Sequence, residues 1–180
     1  KRFGIFAMLA LCAMTVSSTA LAADKVIKIG VLFPLTGPAA VSGQNCVNSV
    51  LAAADVINKK NTDINAPLAA QEGILGGYKI EIVKADHQGK PDVAKSEAER
   101  LYNQEKVFAV IGCYNSSATK PASAVAERAK KIFMCGCSSS AALTERGYKY
   151  FFRHAPTDAI ESKEFVEYIE YLNKEKKAGI

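Results

Sequence analysis

Three short runs of small polar residues carry the side chains able to do chemistry. They are Pro34-Leu35-Thr36-Gly37-Pro38-Ala39-Ala40-Val41-Ser42-Gly43-Gln44, Gly112-Cys113-Tyr114-Asn115-Ser116-Ser117-Ala118-Thr119 and Cys135-Gly136-Cys137-Ser138-Ser139-Ser140. Where such a run opens a helix, the first amides have no intrahelical acceptor and the helix dipole presents its positive end. Free amides, nearby hydroxyls and small side chains together seat a carboxylate or another anion without a lysine or arginine. Each serine taken singly is also explained as a helix cap or turn residue. Two clusters at neighbouring strand ends favour the ligand.

Other chemistries find less support. A serine nucleophile needs an orienting base, and no G-x-S-x-G elbow surrounds Ser116 or Ser139, so a secreted serine hydrolase stands only as an alternative. No phosphate loop of the form G-x-x-x-x-G-K-S/T and no G-x-G-x-x-G fingerprint is present. Setting aside Cys12, which lies in an apolar leader, leaves Cys46, Cys113, Cys135 and Cys137. As metal ligands they lack paired C-x-x-C knuckles, and as a redox centre they lack a single C-x-x-C. No metal and no cofactor is expected. In an exported chain the four are disulfide candidates with three pairings open. If the third and fourth strands are neighbours, Cys113 pairs with Cys135 or Cys137, and Cys46 reaches the other. His87 and His154 read as solvated or structural. Asp86 and Asp158 read as turn caps, and Arg153 as the partner of a carboxylate in the same domain.

The elements that must position these turns alternate between β-rich and helical periods. Val26 to Phe33, Tyr78 to Ala85, Val107 to Ile111, Lys131 to Cys135 and Lys149 to Arg153 read as strands. Between them, helical spacing relates Val47, Val50, Leu51, Ala54 and Ile57 after Gly43, then Ala94, Ala98, Leu101 and Tyr102 after Pro91. A third set is Ala122, Val125, Ala126 and Ala129, with Pro121 in the first turn of its helix, and the last is Phe165, Val166, Ile169 and Leu172. Repeated βα units predict an α/β fold, an open parallel sheet with helices on both faces. Its ligands sit beyond the carboxyl ends of the strands, where the three runs lie. The stretch from Asn61 to Gly77 reads as a surface loop.

Composition narrows the class. The 180 residues carry 23 Lys+Arg against 18 Asp+Glu, with 49% hydrophobic and 23% charged residues, the profile of a chain able to bury a core. No basic block with interleaved aromatics appears, which argues against a nucleic-acid partner. At the start, Lys1 and Arg2 precede the apolar stretch Phe3 to Val16, then a small-residue exit at Ala20-Leu21-Ala22. Residues 1–22 therefore read as a cleaved signal peptide, its apolar stretch too short for a membrane span of about 20 residues.

The sequence resembles the type I periplasmic solute-binding proteins of ABC importers, especially the branched-chain amino-acid (Leu/Ile/Val) binding group. The resemblance rests on Ile27-Lys28-Ile29-Gly30 with Leu35-Thr36-Gly37-Pro38, and on Ile74-Leu75-Gly76-Gly77-Tyr78-Lys79-Ile80. It continues in Val110-Ile111-Gly112 with Ser116-Ser117 and Pro121-Ala122-Ser123, and in Leu143-Thr144-Glu145-Arg146-Gly147-Tyr148. It implies the first lobe of a two-lobe protein, with 23–158 as the ligand-binding lobe and 159–180 as the last helix before the first crossing to a second lobe.

By that resemblance, Ser116 and the turn Cys137, Ser138 and Ser139 hold the carboxylate of a small solute, an amino acid or a relative. Ser42 stands where the Leu/Ile/Val binders place an aromatic wall, which implies a differently shaped cavity. The disulfide familiar in that group would fall at Gly89 and Asn115 here, so it is absent. The resemblance also implies a periplasmic monomer that delivers its ligand to an inner-membrane ABC permease. A ligand-sensing receptor ectodomain of the same fold is the alternative.

Overall fold

The computed structural model describes residues 25–66 and 68–174. The signal-peptide reading lies outside them. Five strands form one parallel sheet: β1 (Val26–Phe33), β2 (Lys79–Asp86), β3 (Ala109–Gly112), β4 (Ile132–Cys135) and β5 (Phe151–Arg153). Their order is β2-β1-β3-β4-β5, every neighbouring pair parallel. Four helices follow the strands in chain order: α1 (Ala40–Asn58), α2 (Pro91–Asn103), α3 (Ser116–Ala129) and α4 (Asp158–Lys174).

Alternation along each strand divides the core in two. On one face Leu32, Val110, Phe133 and Phe151 meet the small-residue seams of α2 (Ala94, Ala98, Leu101) and α3 (Ala118, Ala122, Val125, Ala126). On the other, Val31 and Phe33 meet Val47 of α1, with Val50, Leu51, Ile82 and Ile111 packed alongside. Each large side chain withdrawn from water in this way contributes about 1.5–3 kcal/mol. The second face is covered only where α1 lies: Met134 and Phe152 stay 36% and 47% exposed. Helix α4 buries none of its residues, and its apolar Phe165, Val166 and Tyr168 face solvent. Among the described residues no helix is long and apolar enough to cross a membrane.

The chain leaves β1 for β2 on one side and returns past β1 to β3 on the other, so the topology reverses between β1 and β3. At such a point the two following loops diverge and a crevice opens at the carboxyl ends of the strands. Those loops are the first two of the three polar runs.

Several boundaries differ from the sequence reading. Helix α1 starts at Ala40 rather than after Gly43. Gly37 adopts φ +82°, Ala40 N–H bonds Gly37 O at 3.1 Å, and Gly43 N–H bonds Ala39 O at 3.0 Å, so the turn closes early. Ser42 is therefore inside the first helical turn. Helix α3 starts at Ser116, which puts Pro121 in its second turn and leaves the Ser117 carbonyl without the amide that a helix would supply. Strands β3 and β5 each begin two residues later than read, at Ala109 and Phe151.

Gly43 sets how closely α1 approaches β1. A Cβ there would lie 1.9 Å from the Pro34 carbonyl oxygen, a backbone atom that cannot rotate aside. Gly43→Ala is therefore expected to destabilise the full-length protein by about 3 kcal/mol through overpacking. Urea unfolding measures this, and an unchanged midpoint would show that α1 shifts without cost.

Candidate functional site

The turns after β3 and β4 are sewn together by hydroxyls. Ser138 is buried; its Oγ donates to the Cys113 carbonyl at 3.0 Å and lies 2.7 Å from Thr119 Oγ1. Thr119, fully buried in the second turn of α3, accepts the Cys113 amide at 3.3 Å. A second stitch runs from Ser140 N–H to Ser116 Oγ at 3.3 Å. Ser116 is thus held at the start of α3 directly beside the β4 turn.

From behind, Arg153 grips that turn: its guanidinium donates to Ser140 O at 2.7 Å, to Ser138 O at 3.4 Å and to Thr144 Oγ1 at 3.0 Å. The sequence reading gave Arg153 a carboxylate partner. Among the described residues it makes no ion pair, because its pairing opposite Cys135 sets it against the carbonyls that leave β4. Arg146 is likewise spent on structure. It donates to Leu143 O, Lys120 O and Ser123 Oγ, and its guanidinium carbon lies 4.2 Å from the centre of the Tyr148 ring.

A hollow of about 350 Å³ opens beside Ser116, lined by Ser117, Lys120, Ser140, Leu143 and Arg146 among others. The amides of Ser116 and Ser117, at the start of α3, have no backbone acceptor among the described residues. Asn115 Oδ1, just before the helix, is buried without a partner.

Ser139, Ser42 and Cys137 do not line this hollow. Ser139 is half-buried; its carbonyl accepts Asp158 N–H at 3.0 Å, and its hydroxyl is unbonded among the described residues. Ser42 is half-buried on α1, one turn before Cys46, whose sulfur lies 3.6 Å from that of Cys137. Ser42 therefore lies one helical turn from the point where α1 meets the β4 turn. Ser138 differs from the other candidates, because its hydroxyl is consumed within the fold.

The four cysteines among the described residues are unbridged in this structure. The pairing read first, Cys113 with Cys135 or Cys137, is not made. Cys113 and Cys135 are both fully buried, and Cys137 meets Cys46 instead. Although the Cys137 residue is exposed, partial desolvation of its sulfur, followed by the contact with Cys46, pushes the thiol up to about 12. Neither Ser116 nor Ser139 is hydrogen-bonded to a histidine, so the base that a nucleophile needs is missing among the described residues. Nor do three or more His, Cys, Asp or Glu side chains gather into a group able to hold a metal ion there.

The turn after β2 closes the row. Asp86 accepts Leu35 N–H at 2.8 Å, Thr36 Oγ1–H at 2.6 Å and Gln88 N–H at 2.7 Å, which ties the β1 turn to its neighbour. Desolvation raises its pKa, but these bonds together outweigh it and hold the carboxyl below its usual range. His154 is exposed. His87 is fully buried, with Nδ1 accepting Gly89 N–H at 3.1 Å and Nε2 unpartnered. Burial lowers its pKa against the opposing pull of its own backbone and of Asp86.

The sequence profile of the periplasmic binding protein family matches residues 26–179. An amino acid binding protein of Pseudomonas aeruginosa is 35% identical over 99% of this chain and 44% of its own. The Leu/Ile/Val-binding protein of Escherichia coli is 33% identical over 91% of this chain and 41% of its own. Among solved structures, the branched-chain amino acid substrate-binding protein LivJ of Streptococcus pneumoniae, in complex with isoleucine, matches with a TM-score of 0.64 and 32% identity. It covers 74% of this chain and 34% of its own. A solute-binding protein of an ABC transporter from Rhodopseudomonas palustris, in complex with 3,4-dihydroxybenzoic acid, matches with a TM-score of 0.60 and 26% identity over 74% and 33%. The chain thus spans less than half the length of these relatives.

Two outcomes follow from this geometry. Ser138→Ala leaves the Cys113 carbonyl and Thr119 hydroxyl short of a partner and is expected to cost about 1–3 kcal/mol of stability; full stability in urea unfolding would show the network idle. For His87, the unfolded chain takes up a proton near pH 6.5 and the folded chain only below that. Stability is therefore complete above pH 6.5 and falls as the pH drops below it, by at most about 1.4 kcal/mol per unit. A melting profile from pH 7.5 to 5 should show this slope in the wild type and a shallower one in His87→Asn; equal slopes would refute the assignment.

Proposed function

The chain belongs to the periplasmic binding protein family, and we propose that the protein it forms part of is the solute-binding component of an ABC importer. It binds a small carboxylate-bearing solute, an amino acid or a relative, between this lobe and a second one. The observation that carries this reading is the pair of unspent amides at Ser116 and Ser117, which open α3 next to the stitched β4 turn. An amide seat of this kind holds a carboxylate and is indifferent to what the carboxylate is attached to. Isoleucine and 3,4-dihydroxybenzoate, the ligands bound in two of the structures similar to this one, share a carboxylate and little else.

Ser116 and Ser139 supply hydroxyls, Cys137 and Ser138 supply backbone, and Ser42 forms the opposite wall. Residues 23–158 make up the ligand-binding lobe, and 159–180 lead toward the second lobe. Closure of two lobes excludes water and strengthens each hydrogen bond to the trapped solute, and the closed form is what the permease recognises. The protein is a periplasmic monomer exported by cleavage of residues 1–22, with an inner-membrane ABC permease as its partner. The reading supported by the family is capture and delivery, with no bond made or broken.

A thermal-shift screen of the full-length mature protein against amino acids, amides and aromatic acids is expected to return a carboxylate-bearing ligand, seen as a raised melting temperature. Calorimetric titration with that ligand should then show Ser116→Ala and Ser139→Ala weaker by roughly 1–3 kcal/mol each. Wild-type affinity in both variants would remove these serines from the site, and stabilisation only by solutes without a carboxylate would overturn the ligand class.

A further inference from the structure

Two cysteines from distant parts of the chain meet at the rim of the strand ends. Cys46 lies in the second turn of α1, Cys137 in the turn after β4, 91 residues later, and their sulfurs are 3.6 Å apart. A disulfide bond is about 2.05 Å long, so ~1.5 Å of approach is needed, within the reach of side-chain rotation. Cys137 is exposed and Cys46 half-exposed, whereas Cys113 and Cys135 are sealed in the core. Only the first pair is open to an oxidant.

We infer that Cys46 and Cys137 form a disulfide in the exported protein, and that this bond pins the β4 turn to α1 so that the carboxylate seat is pre-shaped before ligand arrives. The second half of the inference rests on the solute-binding reading; the bond itself does not. The oxidant is a disulfide of the thiol-oxidase class. One cysteine thiolate attacks it to form a mixed disulfide, and the second displaces the oxidant's sulfur. The two thiols lose two protons and two electrons in all, and the oxidant's disulfide becomes two thiols.

The bond would lie between Ser42, one turn back on α1, and Ser138 and Ser139, the next residues of the β4 turn. Arg153 already holds this turn by its carbonyls from behind. A covalent tie in front would leave its amides with little freedom to lose when a ligand binds, which is how preorganisation raises affinity.

The test is made on full-length protein recovered from the periplasm without reductant, and on the purified protein incubated with oxidised glutathione. Alkylation under native conditions followed by non-reducing peptide mapping should find the Cys46 peptide joined to the Cys137 peptide, with Cys113 and Cys135 alkylated only after unfolding. Native alkylation of both Cys46 and Cys137 in the glutathione-treated protein, or a link from either to Cys113 or Cys135, would overturn the pairing. Dithiothreitol should lower the wild-type melting temperature by at least about 5 °C and leave Cys46→Ser unmoved; an equal response in the variant would also overturn it.

For the seat, isoleucine and 3,4-dihydroxybenzoate are titrated with and without dithiothreitol, and whichever binds should weaken by about threefold or more on reduction. Unchanged affinity would overturn the pinning while leaving the bond. Failure of every carboxylate in the screen to bind would instead count against the solute-binding reading.

Discussion

A buried hydroxyl pair, Ser138 against Thr119, decides where everything else at the strand ends can be. Neither group reaches water, so each must find its partners inside the fold or cost the free energy of an unmet polar group, about 1–3 kcal/mol. The observed arrangement of the two turns satisfies both, with Ser138 over the Cys113 carbonyl and Thr119 between the Cys113 amide and the Asn115 carbonyl. That arrangement sets Ser140 against Ser116 and points the β4 turn across the start of α3. The network is specific because it is polar. An apolar contact at the same place would tolerate sliding, whereas a hydroxyl 2.7 Å from its neighbour does not.

The same logic explains why two arginines near the site are spent on the protein, while the Lys120 ammonium beside the hollow makes no ion pair among the described residues. A free arginine in the crevice would attract any anion, and it would also have to be desolvated each time the lobes closed. Here Arg146 and Arg153 donate to carbonyl and hydroxyl oxygens of the protein. Their charge remains as a favourable background field, while their direct bonds hold the turns rigid. In the reading proposed above, the amides at the start of α3 have dipoles fixed by backbone and need no rearrangement when a carboxylate arrives.

The five-strand frame was legible in the sequence because each strand is a short apolar run bounded by turn residues, and the helices between them repeat apolar residues on one face, small ones in α2 and α3. The polar runs were legible too, since Gly, Pro and Ser mark them. What could not be read was long-range and angular. Cys46 meeting Cys137 was one of the contacts left open by the sequence; choosing it depends on the direction in which α1 crosses β1, set by the close approach at Gly43, which no local pattern encodes. Arg153 was assigned a carboxylate because ion pairs are the familiar partners of arginine; its actual partners are backbone carbonyls, which have no sequence signature. Helix α1 began early because Gly37 took a left-handed conformation, a choice the sequence permits without requiring.

One asymmetry bears on how such a lobe can move. The sheet face under α2 and α3 is sealed by a continuous core, but the opposite face is covered only along β1 and β2, with Met134 and Phe152 partly open to solvent. The seat is built on the sealed side: α3 supplies the amides, and the Thr119 and Ser138 hydroxyls lie in its buried flank. Rigidity is therefore concentrated where hydrogen-bond geometry must be kept to a fraction of an ångström. Beyond α1 the loosely covered face carries no bond of these turns; α1 itself reaches the β4 turn through Cys46 and Cys137. In the two-lobe arrangement proposed above, a lobe built this way swings as a unit without disturbing the half-site it carries.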